Sequence, residues 1–599
     1  MASQNLLPPV LEVEFGDELQ SFAADDQKFS QRFITRTKAG IASILKDLGI
    51  PGEPAVEIRS VSSADSFRAY LNGNQIRYSR ETFRSIWEYL SCSSIGELPI
   101  DYYWDRWLAD NVTSERIATD TQRSELIAEF LASLVVESAK QYPERLFAHE
   151  QAVAYLGTTR LLGLKVEGLN EPARLLSILK PVLRLRISIA DTAAVVNGIS
   201  DGISMGCSDE DIAENLIARL RPRLLEIRCN PNYLSQWIRF DTPLNELAVG
   251  AISEVEGQVL DTLSMMTNGL LWELGIRVPE IKFVGSNDLK ENSFVFNLNN
   301  LETIPRLGLG ANQLLVNDTK ERLSVINVEG SPTVNPANNN ECSVIAETDR
   351  EQVSSAGLSV WNPLEYVVLA CSRELRTHAS CFLDVETVEY EVSRLHEKFP
   401  ELALATAEAV TFENLTRILR KLLNEEIFIR DFKTVIERVL SYDQIVSEPA
   451  KYIIFDDRYV VDENVSVGQE DLASNYAQHV RAGLKRYIGH KYTRGQNTLI
   501  VYLMSPEIET MLIEHPFDEQ SDGERSLTVE ETEEILSAIH YEVDSLPDTA
   551  DRPVILTTSA VRAPLRKMIA AELPHLAVLS YDELPPDINI QPIARIELK

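Results

Sequence analysis

The sequence predicts an α/β (α+β) multi-domain protein: small α/β subdomains alternate with helical subdomains, and a C-terminal α/β domain carries a parallel β-α-β unit. The first observation behind this is an internal repeat. Leu176 to Ile199 lies over Thr416 to Val439 at a constant offset of 240, pairing Ile178 with Ile418, Leu183 with Leu423, Asp191 with Asp431 and Val195 with Val435. Further blocks keep the same order: Leu48-Gly49-Ile50 with Leu274-Gly275-Ile276, Leu71-Asn72 with Leu298-Asn299, and Glu210 to Asn215 with Glu470 to Asn475. The second observation is that the apolar period changes within each copy from helical to alternating and back. The third is a stretch from about 491 onwards that repeats nothing and reads as strand, helix, strand.

Taken in order, each copy opens on a helix. Phe33, Ile41, Ile44, Leu45 and Leu48 recur at helical spacing, as do Val259, Leu263, Met266, Leu270 and Leu274. Gly49 and Gly275 follow where a helix end turns left-handed. Val56–Ile58 and Ser293–Leu298 read as strands. Leu415, Ile418, Leu419, Leu422 and Leu423 form one stripe of a helix in the later, helical half. In the tail, Asn497 to Met504 and Pro553 to Thr557 read as strands, Ser559 caps a helix over Ala560 to Leu573, and Leu576 to Tyr581 is the next strand. Strand–helix–strand units of this length pair in parallel. Thr528 with Glu531 has the capping-box pattern. The polar run Ser331 to Asn340 reads as a loop. The expected subdomains are 10–134 and 135–230 for the first copy, 231–385 (with an insert near 306–350) and 386–490 for the second, and 491–599 for the tail.

With 599 residues, 44% apolar and 25% charged, the composition is that of a globular chain. Its 57 basic and 91 acidic residues leave a net charge of −34, a field that repels phosphate backbones, so no nucleic acid is expected as a partner. No run reaches the ~18 apolar residues of a membrane span. Six scattered cysteines without a CxxC pair suit a reducing cytoplasm.

The chemistry-bearing patterns are weak. Gly198 to Gly206 matches G-x-S-x-G twice, but the segment before it is helical, where a nucleophile elbow needs a strand. These glycines read as a helix end and a flexible loop, and this loop is the sole hint of an enzyme. Asp191 and Asp431 each precede a helical run and read as N-caps. Cys371, His378 and Cys381 lie along one expected helix without a fourth metal ligand. The tract 507–551 holds fifteen acids against Arg525 alone and reads as a solvated face, or as a surface for basic segments. No catalytic, cofactor or metal site is expected.

The second copy and tail resemble the cytosolic half of the type III secretion and flagellar export-gate family, FHIPEP. Leu271 to Pro279 is similar to its helix-to-strand element, Gly357 to Trp361 to its G-L-P-A-x-W segment, and Arg417 to Asp431, including Arg430, to its L-E-x-x-I-R-D element. Pro553 to Arg566, with Arg562, resembles its P-V-L-L-x-S-x-x-R-P element, and Val578 to Leu584 resembles V-L-S-Y-x-E-L, carrying Ser580, Tyr581 and Glu583. The first copy carries the same elements more faintly, as in Leu11 to Gly16. The chain departs from the family at Leu369-Ala370-Cys371, where Thr-His-Leu is usual, in a shortened insert, and in having no multi-span apolar half.

The resemblance implies a soluble, non-enzymatic docking or scaffold component in the cytoplasm, peripheral to an inner-membrane export apparatus. Its implied partners are secretion chaperones, substrates or export-apparatus subunits, and a homo-oligomeric ring in which one chain fills two positions. The alternative is an export-gate relative recruited as a scaffold in an unrelated cytosolic assembly.

Overall fold

The computed structural model describes residues 10–15, 27–60, 67–76, 83, 120–161, 171–236, 257–338, 340–447, 469–493, 495–515, 517, 527–543, 554–570, 572–573 and 576–598. Two compact units divide the chain: Met1–Ile76 with Glu81–Val388 and Phe428–Arg430, and Arg77–Arg80 with Glu389–Ile427 and Asp431–Lys599. Lys451 to Val461, a strand-like run in the sequence, lies outside the described residues, as does part of the acidic tract.

The first unit holds two sheets of like topology. In one, Val10–Phe15 lies between Ala55–Ser60, to which it is parallel, and Phe67–Leu71, to which it is antiparallel; Asn74–Ile76 completes it. In the other, Leu224–Cys229 lies between parallel Glu280–Gly285 and antiparallel Ser293–Leu298, with Leu301–Glu302 and Arg306–Leu307 beyond. The sequence places Leu224–Cys229 with the first copy's helical subdomain; the structure makes it the central strand of this second sheet. Each parallel pair needs a crossover, supplied by the helices Gln27–Leu48 and Gly257–Glu273.

Each crossover helix ends on a left-handed glycine, Gly49 at φ +71° and Gly275 at φ +82°. The helix-end carbonyls then accept from a later segment: Ile189 N–H donates to Leu48 O, and Ile429 N–H donates to Leu274 O, both at 2.8 Å. A Cβ on Gly49 would stand 2.4 Å from the Ala190 backbone, and one on Gly275 2.4 Å from Arg430 N. Immediately after these contacts come the two aspartates. Asp191 accepts from Ala194 N–H at 3.0 Å; Asp431 accepts from Thr434 N–H at 3.3 Å and from its hydroxyl at 2.7 Å.

In the second unit, helices Phe412–Asn424, Phe432–Ser447 and Gln469–Gly483 pack together, burying Leu415, Ile418, Leu419, Leu422 and Leu423. The C-terminal sheet is wholly parallel, in the order Val578–Ser580, Val554–Thr557, Thr498–Met504, Asn589–Ile596. Its last strand is missed by the sequence reading because Pro592 interrupts it, and an edge strand is where proline is tolerated. Thr528 and Glu531 form a reciprocal pair, Glu531 N–H on Thr528 Oγ1 at 3.2 Å and Thr528 N–H on Glu531 Oε2 at 2.8 Å.

Four local expectations are corrected. Ser331 to Asn340 is half strand: Ser331–Val334 pairs antiparallel with Glu341–Ala346 as an exposed edge containing Pro332. The helix Thr192–Ser204 runs through Gly198 and Gly202, which are packing positions, because a Cβ at either would stand 2.5 Å from Leu216 or Ile212. The helix Ser559–Ile569 starts one residue earlier than expected, with Thr558 at the cap position and the neighbouring Glu509 carboxylate accepting Thr558 N–H at 3.0 Å. The helix Pro363–Thr377 stops at His378, leaving Cys381 in a separate 3-10 turn, and no metal-holding cluster occurs among the described residues.

Gly275→Ala tests the corner. An L residue in that conformation costs about 1–2 kcal/mol before the clash with Arg430 is counted. Denaturant unfolding followed at the nearby Trp272 is expected to lose at least that much.

Candidate functional site

The insert between Arg306–Leu307 and Val360–Trp361 builds its own small antiparallel sheet, ordered Ser331–Val334, Glu341–Ala346, Gln313–Val316, Val360–Trp361. Leu314, Val316, Leu323, Val328, Ile345 and Val353 form its core. A helix over Arg350–Ser355 closes that core and ends at Gly357, φ +81°, where Leu358 N–H returns to Val353 O. That turn delivers Trp361 to pair with Leu315. Asn362 and Glu365 then cap the following helix reciprocally, at 2.9 and 2.7 Å. Beside the sheet lies a groove of about 580 Å³ lined by Gln313, Lys320, Ser324, Glu329, Ser331 and Ala346, among others. It offers opposite charges, hydroxyls and an apolar floor at Val328 and Ile345, which suits a peptide-like partner more than a small metabolite.

Arg430 stands on the glycine corner of the second sheet. Its guanidinium lies 3.4 Å from the Trp272 ring centre, although Trp272 is 62% exposed. On the same helix end, Arg376 pairs with Glu273 at 3.0 Å. Deeper in this unit, Arg306 and Glu374 form a buried pair at 2.7 Å. Burial would raise the Glu374 carboxyl, but Arg306, His378 and Arg186 together hold it below its ordinary range.

The tail residues singled out by sequence meet in one place. Arg481 reaches Glu583 through Nε at 2.7 Å and Nη2 at 3.0 Å, and Glu425 at 3.1 Å. Arg562 binds Glu425 at 2.5 Å and lies 3.4 Å from Glu583. Ser580 forms a capping box with Glu583 and donates its N–H at 3.2 Å, while Tyr581 is half exposed. Burial would raise Glu425, yet Arg481 and Arg562 hold it down to about 2. Arg481 and Glu425 were missed by the sequence reading. Glu425 stands one residue past the helix Phe412–Asn424, and nothing in its local pattern marks it as a distant arginine's partner.

All of these positions except Arg186 lie within the stretch that comparison with known proteins matches. The FHIPEP family model matches residues 242–589, more than half of the chain. The chain belongs to the FHIPEP family. It is 24% identical over 336 residues to the low calcium response locus protein D of Yersinia pestis, covering 56% of this chain and 44% of that protein. It is 21% identical to the flagellar biosynthesis protein FlhA of Bacillus subtilis, over 62% of this chain and 51% of that one. The chain thus spans about half the length of these relatives. The solved Chlamydia pneumoniae CdsV protein is similar at 25% identity and a TM-score of 0.50, over 62% of this chain and 98% of that one. CdsV solved in complex with CdsO is similar at 26% and 0.51, over 62% and 97%. FHIPEP proteins serve protein export and their cytosolic domains are not enzymes; the Gly198–Gly206 segment lies outside the matched residues, and its catalytic reading fails instead because Gly198 and Gly202 are packed inside a helix with no strand before them. Among the described residues of this FHIPEP chain, no helix is long and apolar enough to cross a membrane.

Removing one member of a buried ion pair costs about 3–5 kcal/mol, because the other is left charged and dry. Glu583→Gln is expected to lower the stability of the C-terminal domain by that order, measured by hydrogen exchange of peptides spanning Val578–Glu583. The pH dependence has a defined sign. Glu425 titrates lower in the folded chain than its ordinary 4.5, so its contribution is complete above that value and is lost as pH falls towards 2. In the same peptides, protection against exchange is expected to fall across that window, less steeply in Glu425→Gln.

Proposed function

We propose that this chain is a docking and scaffold component of a type III-like protein export apparatus, reversibly binding secretion chaperones, export substrates or apparatus subunits. The observation that carries this is the groove of the insert, with its mixed lining, in a chain of the FHIPEP family. The similar CdsV protein was solved with a protein partner, CdsO, which supports recognition of apparatus proteins. The reading places the chain in the cytoplasm, peripheral to an inner-membrane export apparatus. Gly357 and Trp361 shape the docking subdomain, Arg430 braces its neighbouring helix, and Arg562, Ser580, Tyr581 and Glu583 fix the C-terminal domain.

We also read the chain as a tandem duplication with an unrepeated C-terminal domain. The shared order of the two sheets supports this, as do the paired corner bonds at Leu48 and Leu274. So do left-handed Asn72 with Asn299, and Arg186 with Glu426, the latter pair again 240 positions apart. The second copy then starts at Leu224–Cys229. One chain fills two positions of a ring, and the first copy either binds partners itself or braces the second.

Affinity capture of the full chain from its native cell, read by mass spectrometry, is expected to recover secretion chaperones or export-apparatus subunits. The captured partner's affinity should fall at least tenfold for the exposed groove pair Lys320→Glu with Ser324→Arg, at unchanged thermal stability. Recovery of an unrelated assembly alone would replace this reading with that of a scaffold recruited away from export.

A further inference from the structure

Some surface cations of this acidic chain sit against acids, as Arg174 does on Asp209 at 2.8 Å and Arg219 on Asp201 at 3.1 Å. Arg438, Lys485 and Arg486 do not. All three are exposed, and none pairs with an acid among the described residues. They lie together: the Arg438 side chain runs across bare Gly483, where a Cβ would meet its Cδ at 2.5 Å, two residues before Lys485. Lys485 and Arg486 occupy the first turn of the helix Lys485–Thr493, which has no acid there, although the backbone dipole disfavours cations in that turn. The first copy carries Gly198 at the position of Arg438, so this cationic patch belongs to the second copy alone.

The complementary surface is in the C-terminal domain. The helix Val529–Val543 buries Ile535, Leu536 and Ile539 and exposes Glu530, Glu534, Ser537 and Tyr541, a single stripe at helical spacing. Glu530 and Glu534 have no basic partner among the described residues, and Tyr541, 60% exposed, adds an aromatic end to the stripe. Two chains of net charge −34 repel one another, so any contact between copies needs opposed charge at the point of touch.

We propose that Arg438, Lys485 and Arg486 of one chain dock on the Glu530, Glu534 and Tyr541 face of a second copy. The patch and the stripe are different surfaces, so the contact is head-to-tail and closes into a ring when the rotation allows. This inference rests on the oligomeric reading above and names its contact.

Sedimentation velocity of the full chain over a range of concentrations, at low and moderate salt, tests it. The expected result is salt-sensitive association that weakens at least tenfold in Lys485→Glu with Arg486→Glu, and equally in Glu530→Lys with Glu534→Lys. An equimolar mixture of the two variants should associate again, since each supplies the reversed partner of the other. Unfolding midpoints should stay at or slightly above the parent's for the first variant, because its positions are exposed and its new acids suit the helix start. Association that ignores both reversals overturns this contact and leaves the oligomeric reading standing. A chain that is monomeric at every concentration overturns both.

Discussion

Two corners of the fold each turn on one backbone contact, the hydrogen bond from a later segment onto a carbonyl at the end of a crossover helix. Ile189 N–H reaches Leu48 O, and Ile429 N–H reaches Leu274 O, at the same 2.8 Å. The approach is possible because Gly49 and Gly275 carry no Cβ and tolerate positive φ, so two backbones come closer than any side chain permits. The next residues in the chain are Asp191 and Asp431, whose carboxylates start the following helices. A helix end and a later helix start are therefore set by one short stretch.

The second unit is held differently. Four of its charged groups, Arg481, Arg562, Glu425 and Glu583, are mostly removed from water, and removing such charges costs several kcal/mol before their attraction offsets it. An apolar cluster of the same volume would serve net stability as well. What the charges add is geometry: bidentate contact of Arg481 with Glu583 fixes both side chains in plane, and Ser580 fixes Glu583 from its own backbone. We read the network as setting one arrangement of the helical subdomain and the parallel sheet, with a gain in specificity larger than the gain in free energy. On the docking reading proposed above, such fixed arrangement matters more than extra stability.

Much of this was legible from the amino acids, for reasons that differ element by element. The amphipathic stripe of Phe412–Asn424 and the parallel pairing of Val554–Thr557 with Val578–Ser580 follow from periodicity and connection length. The Thr528–Glu531 pair follows from a local capping rule. Ser331–Val334 and Asn589–Ile596 were hidden because each edge strand carries a proline, which reads as a breaker in a one-dimensional pattern and is tolerated on an open edge. Gly198 and Gly202 misled for the opposite reason: helix-breaking residues in a list, they are in space the clearance for Leu216 and Ile212. At the candidate site, the motif positions Arg562, Ser580 and Glu583 could be chosen from sequence, whereas their partners Glu425 and Arg481 could not. Their separation of 102 to 158 positions from Glu583 leaves no local signal.

The same distinction between local and distant pairing bears on the charge of the chain. Net charge alone makes the molecule a poor self-associating surface, and a uniform distribution of 91 acids over it would keep copies apart at low salt. The described ion pairs show a different arrangement, with basic residues spent on near neighbours: Arg394 on Glu391, Lys433 on Glu437, Arg350 on Glu347. Such exposed pairs contribute little to stability, but each removes a cation from the surface that another molecule meets. Where described cations are left without an acid, as at Lys485 and Arg486, an acidic surface meets the least repulsion. An approaching acidic chain is therefore repelled from most orientations and tolerated in few. On the docking reading proposed above, that selection of orientation is itself part of the function.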